Sequence, residues 1–296
     1  MTGALTVAPP AKVNLHLEVK GRRGDGYHEL VTLFQSIDLR DRLTAVDDGS
    51  GEVSLEVAPD GAVPAGEDAN VVIRAVRAVA REIGGGGGAR LRLDKRIPVG
   101  GGLGGGSADA AAALVLLDQL WDCGFDGHTL HRLAAEIGSD VPFFLVGGRV
   151  LGTGRGDELI ELEDSPPLPV VIAAPPLEIS TEEVFGKWSS RLTSNRPEGT
   201  LVAPAAGLRG QPEWRAMTNQ LEEIVVGSWP EVGEGLRILR SFGPLHASLS
   251  GSGSASFAVF ESRSSARRAA EGLPQGWFVH LGNLLPRSAA RLEVVR

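Results

Sequence analysis

The part of this chain with the clearest chemistry follows Pro98, where six of the next nine residues are glycine. Glycine lets backbone amides approach a ligand closely, and it adopts positive φ values that a Cβ disfavours. The Ala/Leu-rich run at 110–117 predicts a helix whose free N–H groups and positive dipole end face back to the loop. Loop and helix start together are suited to a polyphosphate. The predicted phosphate-binding residues are Pro98, Val99, Gly100, Gly101, Gly102, Leu103, Gly104, Gly105, Gly106, Ser107 and Ala108.

Other glycine-rich patterns fit this loop less well. The P-loop pattern is excluded because no Lys follows Gly106. The dinucleotide pattern G-x-G-x-x-G is met formally from Gly100, but no βαβ unit or ribose-binding acid accompanies it. A flexible linker is the remaining alternative, and it is our interpretation of the glycine run at 84–88. Pro98 and Leu103 are not typical of a flexible linker, so they favour ligand binding by the longer loop.

A second glycine-rich turn, at 250–254, lies between two predicted strands in the other half of the chain. A simple hairpin turn is the alternative interpretation, because Gly and Ser are common turn residues. Together with the first loop, a turn dense in amides and hydroxyls is able to close over phosphates from the opposite side. The residues predicted to do so are Ser250, Gly251, Ser252 and Gly253.

The composition predicts a soluble globular protein. With 296 residues and 42% hydrophobic content, the chain is long enough for two domains. A formal net charge of −8 argues against nucleic-acid binding. The single cysteine excludes an internal disulfide, the apolar runs are too short for a membrane span, and no signal-peptide pattern is present. We therefore expect a cytoplasmic monomer or homodimer that binds neither nucleic acid nor a membrane.

Hydrophobic periodicity predicts a mixture of strands and helices around these loops, that is, an α+β fold. A proline-rich stretch at 165–169 is the predicted boundary between domains 1–164 and 165–296. The predicted strands are 5–7, 12–19, 29–39, 43–46, 53–57, 89–93, 146–151, 170–174, 245–249, 256–260 and 277–281. The predicted helices are 70–83, 108–121, 129–137, 213–226, 231–241 and 264–271, and 189–212 is predicted to be a long loop.

Three segments in order along the chain, 9–15, 98–107 and 249–254, resemble the three motifs of the GHMP superfamily of small-molecule kinases. Two more, 23–30 (R-G-D-G-Y-H-E-L) and 137–144 (I-G-S-D-V-P-F-F), resemble the members that phosphorylate a cytidylyl alcohol. The resemblance implies a two-domain α+β GHMP kinase fold with its active site in the cleft between the domains. It implies ATP as phosphoryl donor, with Mg²⁺ expected on chemical grounds, and 4-diphosphocytidyl-2-C-methyl-D-erythritol of the non-mevalonate isoprenoid pathway as the substrate.

The resemblance also implies catalytic roles. Asp140 matches the residue that accepts the proton of the attacking hydroxyl, whereas the pattern alone favours a helix-capping role. Lys12 matches the lysine beside that carboxylate, where it favours the alkoxide. Asn14 shares the strand face of Lys12 and is predicted to join the same network. Ser107 is expected to cap the following helix, to bind phosphate or Mg²⁺, or to do both; the ligands of the metal are not determined.

Tyr27 and His28 are predicted to recognise the cytosine, because Tyr offers a flat face and His offers a donor and an acceptor. Phe185 resembles the residue on the opposite face of the base, and it is equally a core aromatic on a helix. Other superfamily kinases, of the homoserine or mevalonate type, have no use for such a clamp. A nucleotide-binding regulator without catalytic activity is the alternative of a different class, and the presence of both Lys12 and Asp140 argues against it.

Overall fold

The structure is a computed structural model that describes residues 3–47, 49–59, 63, 70–191 and 213–296. These residues form three four-stranded sheets and the helices that cover them. The strands are β1 (Leu5–Val7), β2 (Pro10–Arg22), β3 (His28–Arg40), β4 (Arg42–Val46), β5 (Val53–Ala58), β6 (Ala89–Asp94), β7 (Arg149–Thr153), β8 (Glu158–Glu161), β9 (Pro169–Ala174), β10 (His246–Leu249), β11 (Ser256–Val259) and β12 (Phe278–Asn283). The helices are α1 (Val71–Glu82), α2 (Gly105–Leu120), α3 (Gly127–Ile137), α4 (Val141–Val146), α5 (Thr181–Arg191), α6 (Glu222–Ser228), α7 (Pro230–Ser241), α8 (Arg263–Glu271) and α9 (Arg287–Ala290).

The first sheet, in the order β1-β4-β6-β5, positions the start of α2. Its β5 and β6 are parallel, and its other pairs are antiparallel. Helix α2 packs against β4 of this sheet and against α1, α3 and α4. Residues such as Ala112 and Leu116 are completely buried, so the helix is enclosed on several sides rather than along one stripe. The N-terminus of α2 is therefore fixed at the end of the glycine-rich loop.

The second sheet, β2-β3-β7-β8, carries the lysine of the first motif. Side chains alternate along β2, as they do along any strand. Ala11, Val13 and Leu15 pack into a core shared with β9 and β11. Lys12 and Asn14 lie on the opposite face and line a cavity. The alternation over residues 11–15 thus buries the apolar side chains and directs Lys12 and Asn14 to the site.

The third sheet, β10-β11-β9-β12, is antiparallel throughout. One face packs on β2, and the other is covered by α7 and α8 through residues such as Leu239 and Ala266. The predicted α+β class is confirmed. The proline-rich stretch at 165–169 lies between β8 and β9. Among the residues described, no helix is long and apolar enough to cross a membrane.

Three predicted elements have a different type of secondary structure over part of their length. The single helix predicted at 213–226 is a 3₁₀ helix, Trp214–Ala216, followed by α6; between them the Oδ1 of Asn219 accepts the amide of Leu221 at 2.9 Å and turns the chain. The strand predicted at 146–151 starts only at β7, because α4 extends through Val146. Of the loop predicted at 189–212, the first three residues belong to α5, and the others lie outside the described residues.

Acid sensitivity is expected from His246 on β10, which is buried between Trp214 and Phe257. Burial lowers its pKa to about 4. An unfolded histidine has a pKa of about 6.5, so the unfolded chain is protonated first. Between pH 7 and pH 5 the free energy of unfolding should fall by about 2 kcal/mol on this account. Measured by urea denaturation at both pH values, the free energy of unfolding of His246→Gln should fall by about 2 kcal/mol less than that of wild type. Equal decreases in the two proteins would contradict this role.

Candidate active site

A cavity of about 470 Å³ lies between β2, the two glycine-rich loops and the starts of α2 and α5. It is bordered by residues from both halves of the chain. The predicted site residues that line it are Lys12, Asn14, Pro98, Val99, Gly100, Gly101, Gly102, Leu103, Gly104, Gly105, Gly106, Ser107, Asp140, Phe185, Gly251 and Ser252. The predicted residues that do not line it are Tyr27, His28, Ala108, Ser250 and Gly253.

The first glycine-rich loop, residues 98–107, is held through its carbonyl groups. The five carbonyls from Gly100 to Gly104 each accept a hydrogen bond; the donors are, in order, the Ser254 amide, the Ala255 amide, the Ser250 hydroxyl, the Lys12 amide and the Ala108 amide. The amides of residues 99–107, by contrast, have no acceptor among the described residues. A run of unpaired amides at the start of a helix attracts anions, so the loop has the chemistry of a phosphate site.

Two of these glycines are required by packing within the protein. Gly102 has a φ of +71°, and a Cβ on it would lie 2.0 Å from the Ser250 carbonyl oxygen. Gly104 has a φ of +72°, and its Cβ would lie 2.7 Å from Cζ of Phe144. The sequence predicts that these glycines are needed for the close approach of a phosphate. At both positions the chain itself leaves no room for a side chain.

The prediction that Ser107 caps the helix is wrong. Helix α2 begins at Gly105, and the capping position is taken by Gly104 in a left-handed conformation, with no side-chain hydrogen bond. Ser107 is the third helical residue. Ser107 lines the cavity, so it is available to a ligand rather than to the helix end.

Lys12, Asn14 and Asp140 meet at one end of the cavity. The Lys12 Nζ donates to Oδ1 of Asn14 at 2.6 Å and lies 3.4 Å from Oδ2 of Asp140. Asn14 in turn donates to the Thr32 hydroxyl at 2.8 Å, which donates to the His16 carbonyl. This chain of hydrogen bonds fixes the ammonium group beside the carboxylate.

Asp140 precedes α4, but its side chain makes no capping hydrogen bond to that helix. Its carboxylate is about one-third exposed, whereas the Lys12 side chain is only 4% exposed. Burial lowers the pKa of Lys12, and the charge and hydrogen bond of Asp140 partly oppose this effect. The pair thus combines a carboxylate that is open to the cavity with a buried ammonium group whose charge that carboxylate stabilises.

The second glycine-rich turn supports the first loop and the start of α5. Asn219, which the sequence analysis did not single out, donates to the carbonyls of Leu249 and Gly251 at 2.9 and 2.8 Å. The Ser252 hydroxyl lies 2.9 Å from the hydroxyl of Thr181, the first residue of α5. The two motifs, distant in sequence, form one structural unit with α5.

The aromatic residues that are predicted to recognise the cytosine lie near the start of β3 and on α5. His28 stacks on Phe185, with ring centroids 4.8 Å apart and planes inclined by 28°, and its Nε2 lies 2.8 Å from the Ser189 hydroxyl. Tyr27 is 54% exposed, and the guanidinium of Arg155 lies over its ring at 5.1 Å. The ring that stacks on Phe185 is therefore that of His28 and not that of Tyr27.

Two cationic side chains that line the cavity were not predicted. Arg155 follows β7 between two glycines and pairs with Asp157; its position in G-R-G-D was the only signal available. Lys95 follows β6, three residues before Pro98, and is almost completely buried. Neither residue belongs to a segment on which the family resemblance was based.

This fold, with its two glycine-rich loops around a lysine–aspartate pair, is found in a known class of kinases. The family model "GHMP kinases N terminal domain" matches residues 70–148, and "GHMP kinases C terminal" matches residues 213–279. The chain belongs to the GHMP kinases.

Closer relatives narrow the family. The chain is 41% identical to a 4-diphosphocytidyl-2-C-methyl-D-erythritol kinase of Pelotomaculum thermopropionicum, over 90% of this chain and 92% of the relative. A crystal structure of 4-(cytidine 5'-diphospho)-2C-methyl-D-erythritol kinase is 37% identical, with a TM-score of 0.74 over 94% of this chain and 98% of that one. Within the GHMP kinases, the chain belongs with the 4-diphosphocytidyl-2-C-methyl-D-erythritol kinases. A homoserine kinase structure from Cytophaga hutchinsonii has a TM-score of 0.76 at 20% identity over 100% of this chain and 98% of that one, and it shares the fold alone.

Proposed function

We propose that this protein transfers the γ-phosphoryl group of ATP to the 2-hydroxyl of 4-diphosphocytidyl-2-C-methyl-D-erythritol, in the non-mevalonate pathway to isoprenoid precursors. The observation that carries the chemistry is the Lys12–Asp140 pair, 3.4 Å apart, in a cavity that is also lined by residues 99–107, whose amides have no acceptor among the described residues. The identity of the alcohol is supported by the 4-diphosphocytidyl-2-C-methyl-D-erythritol kinases to which the chain is related.

The chemistry follows from the positions of these groups. Phosphate oxygens of ATP accept hydrogen bonds from the free amides at the start of α2, where the helix dipole also favours negative charge. Asp140 accepts the proton of the 2-hydroxyl, and the ammonium of Lys12 stabilises the negative charge that develops on that oxygen. The oxygen forms a bond to the γ-phosphorus, the bond from that phosphorus to the β–γ bridging oxygen breaks, and ADP leaves.

Mg²⁺ fits this site as an ion that arrives with the nucleotide. The described residues include no group of three His, Cys, Asp or Glu side chains that would hold a metal by themselves. Mg²⁺ in kinases is usually bound by phosphates, waters and one or two protein oxygens. Ser107 and Asp140 line the cavity, and their hydroxyl and carboxylate oxygens would be the protein's ligands to the ion. The ion would neutralise charge on the β- and γ-phosphates.

Two further features of the proposal concern the organisation of the protein. We assign one domain to residues 1–164 and the other to residues 165–296, because the proline-rich stretch separates β8 from β9 at this point. The cavity then lies between the domains, with the loop at 98–107 from one and the turn at 250–254 from the other. We place the enzyme in the cytoplasm.

Substrate choice tests the function. ADP release should be rapid with 4-diphosphocytidyl-2-C-methyl-D-erythritol and slow with methylerythritol 4-phosphate, which lacks the base, and with homoserine or mevalonate. Equal rates with the cytidylyl alcohol and methylerythritol 4-phosphate would exclude recognition of cytosine. A folded enzyme that binds ATP but turns over none of the four alcohols would instead support a regulator.

Tyr27→Ala tests whether this exposed ring binds the base. Stacking on an aromatic ring contributes about 1–3 kcal/mol per base, so the KM for the cytidylyl alcohol should rise roughly 5- to 150-fold. Because Tyr27 is 54% exposed, the thermal midpoint should hardly change. The KM for ATP, measured in the same assay, should also be unaltered. An unchanged KM for the alcohol would remove Tyr27 from the substrate site.

A further inference from the structure

A buried cluster of charged side chains lies beneath the phosphate-binding loop, and no role has so far been given to it. The Lys95 Nζ donates to Oδ2 of Asp109 at 2.7 Å and to Oδ2 of Asp41 at 2.5 Å. The three side chains are 4%, 2% and 0% exposed, respectively. We refer to Asp41, Lys95 and Asp109 as the buried triad.

Stability alone does not account for the buried triad. Removing charges from water is costly, and buried ion pairs often contribute no more than apolar residues of the same size. Here two carboxylates share one ammonium group, and Oδ1 of Asp109 has no hydrogen-bond partner among the described residues. Burial accordingly raises the pKa of Asp109 well above its usual range, with the charge of Lys95 opposing this effect.

The buried triad connects the segments that shape the nucleotide site. Asp41 lies between β3 and β4, and its Oδ1 accepts the amides of Arg96 and Ile97 directly before the loop. Lys95 follows β6, and Asp109 belongs to the first two turns of α2. One ammonium group therefore ties the start of the loop to the start of the helix.

Lys95 also contacts the nucleotide site, whereas its partners do not. Lys95 lines the cavity, and a Cβ on Gly105, the first residue of α2, would lie only 3.1 Å from its Nζ. Asp41 and Asp109 are absent from the cavity wall. Any effect of Asp109 on nucleotide binding must therefore pass through Lys95 or through the position of α2.

We propose that the buried triad positions the nucleotide site: Asp41 and Asp109 hold Lys95 so that the loop and the first turn of α2 present their free amides together to the phosphates of ATP. The inference rests on the proposed function only in that ATP is the ligand. A displacement of about 1 Å in groups that bind a reacting ligand is enough for large losses, so the contribution should be measurable although Asp109 itself meets no ligand.

The test uses Asp109, because its side chain cannot touch the nucleotide directly. In Asp109→Ala the dissociation constant of ATP and the KM for ATP should rise about tenfold or more, while the KM for the alcohol changes less than about twofold. Asp109→Asn, which keeps a hydrogen-bond acceptor for Lys95, should restore ATP affinity to within about threefold of wild type. Arg92→Met is the control, since it removes exposed ion pairs on the neighbouring β6 and should leave both constants unchanged.

Calorimetric titration with ATP in the absence of any alcohol keeps this test independent of the substrate. It gives the affinity even if the cytidylyl alcohol is not phosphorylated, so failure of the proposed function is seen separately. A folded Asp109→Ala protein with a lower thermal midpoint but wild-type ATP affinity would overturn the proposal and leave the buried triad a purely structural role. If Asp109→Ala does not fold, Asp41→Asn takes its place: both oxygens of Asp41 accept hydrogen bonds and Asn has only one acceptor oxygen, so the same rise in the ATP dissociation constant is expected and the same result would overturn the proposal.

Discussion

Asp140→Asn is expected to lower turnover by ~10²–10⁴-fold, the usual range for loss of a general base. The substitution is nearly isosteric, and the carboxylate it replaces caps no helix and is about one-third exposed. The fold and the affinity for ATP should therefore be preserved. The amide cannot accept the proton of the attacking hydroxyl, and it removes the negative charge that supports the ammonium state of Lys12.

The matched control is Asp126→Asn. Asp126 also stands directly before a helix, but its carboxylate accepts the amide of Thr129 at 2.8 Å and so caps α3. Turnover of this control should equal that of wild type, because Asn is as good an N-cap residue as Asp. Both variants would be compared by ADP release, thermal midpoint and nucleotide titration. Wild-type turnover in folded Asp140→Asn would show that another group accepts the proton.

Gly102→Ala is expected to destabilise the protein by about 2–5 kcal/mol, because the positive φ and the crowded methyl group are both unfavourable. The added Cβ would lie 2.0 Å from the Ser250 carbonyl oxygen, which belongs to the other glycine-rich turn. To relieve this overlap the two loops must separate. ATP affinity should fall together with stability, as judged by urea denaturation and nucleotide titration.

Gly106→Ala is the control for this prediction. Gly106 is helical, and the nearest atom to an added Cβ is Cγ2 of Val71 at 3.6 Å. Alanine in a helix is favoured over glycine by up to about 1 kcal/mol, so stability should be unchanged or higher. Gly106 and Val71 both line the cavity, so ATP affinity should still fall. If Gly102→Ala were as stable as wild type, the contact between the two loops would not be a rigid one.

The sequence was most informative where local chemistry determines structure. The loop at 98–107 and the helix after it follow from glycine, alanine and leucine in their local order, and alternation along β2 placed Lys12 and Asn14 on one face. The pairing of the loop carbonyls with Ser250, Ser254 and Ala255 was not predicted, because it joins residues about 150 positions apart.

The same limit explains the individual differences. No local pattern distinguishes an Asp that caps a helix from one that faces a lysine on a distant strand, and for Asp140 only the family resemblance indicated the second. The helix predicted at 213–226 is interrupted because Asn219 binds the carbonyls of Leu249 and Gly251, a long-range contact. The stacking of His28 on Phe185 likewise depends on where α5 meets β3.

The glycine-rich loop, in which the protein engages the carbonyls of Gly100 to Gly104 while the amides of residues 99–107 have no acceptor among the described residues, has an evolutionary consequence. Amino-acid substitution changes side chains but leaves the peptide group intact, so donors of this kind persist while the side chains around them change. Divergence toward new acceptors is then expected elsewhere in the cavity wall, at side chains such as Arg155 or Phe185.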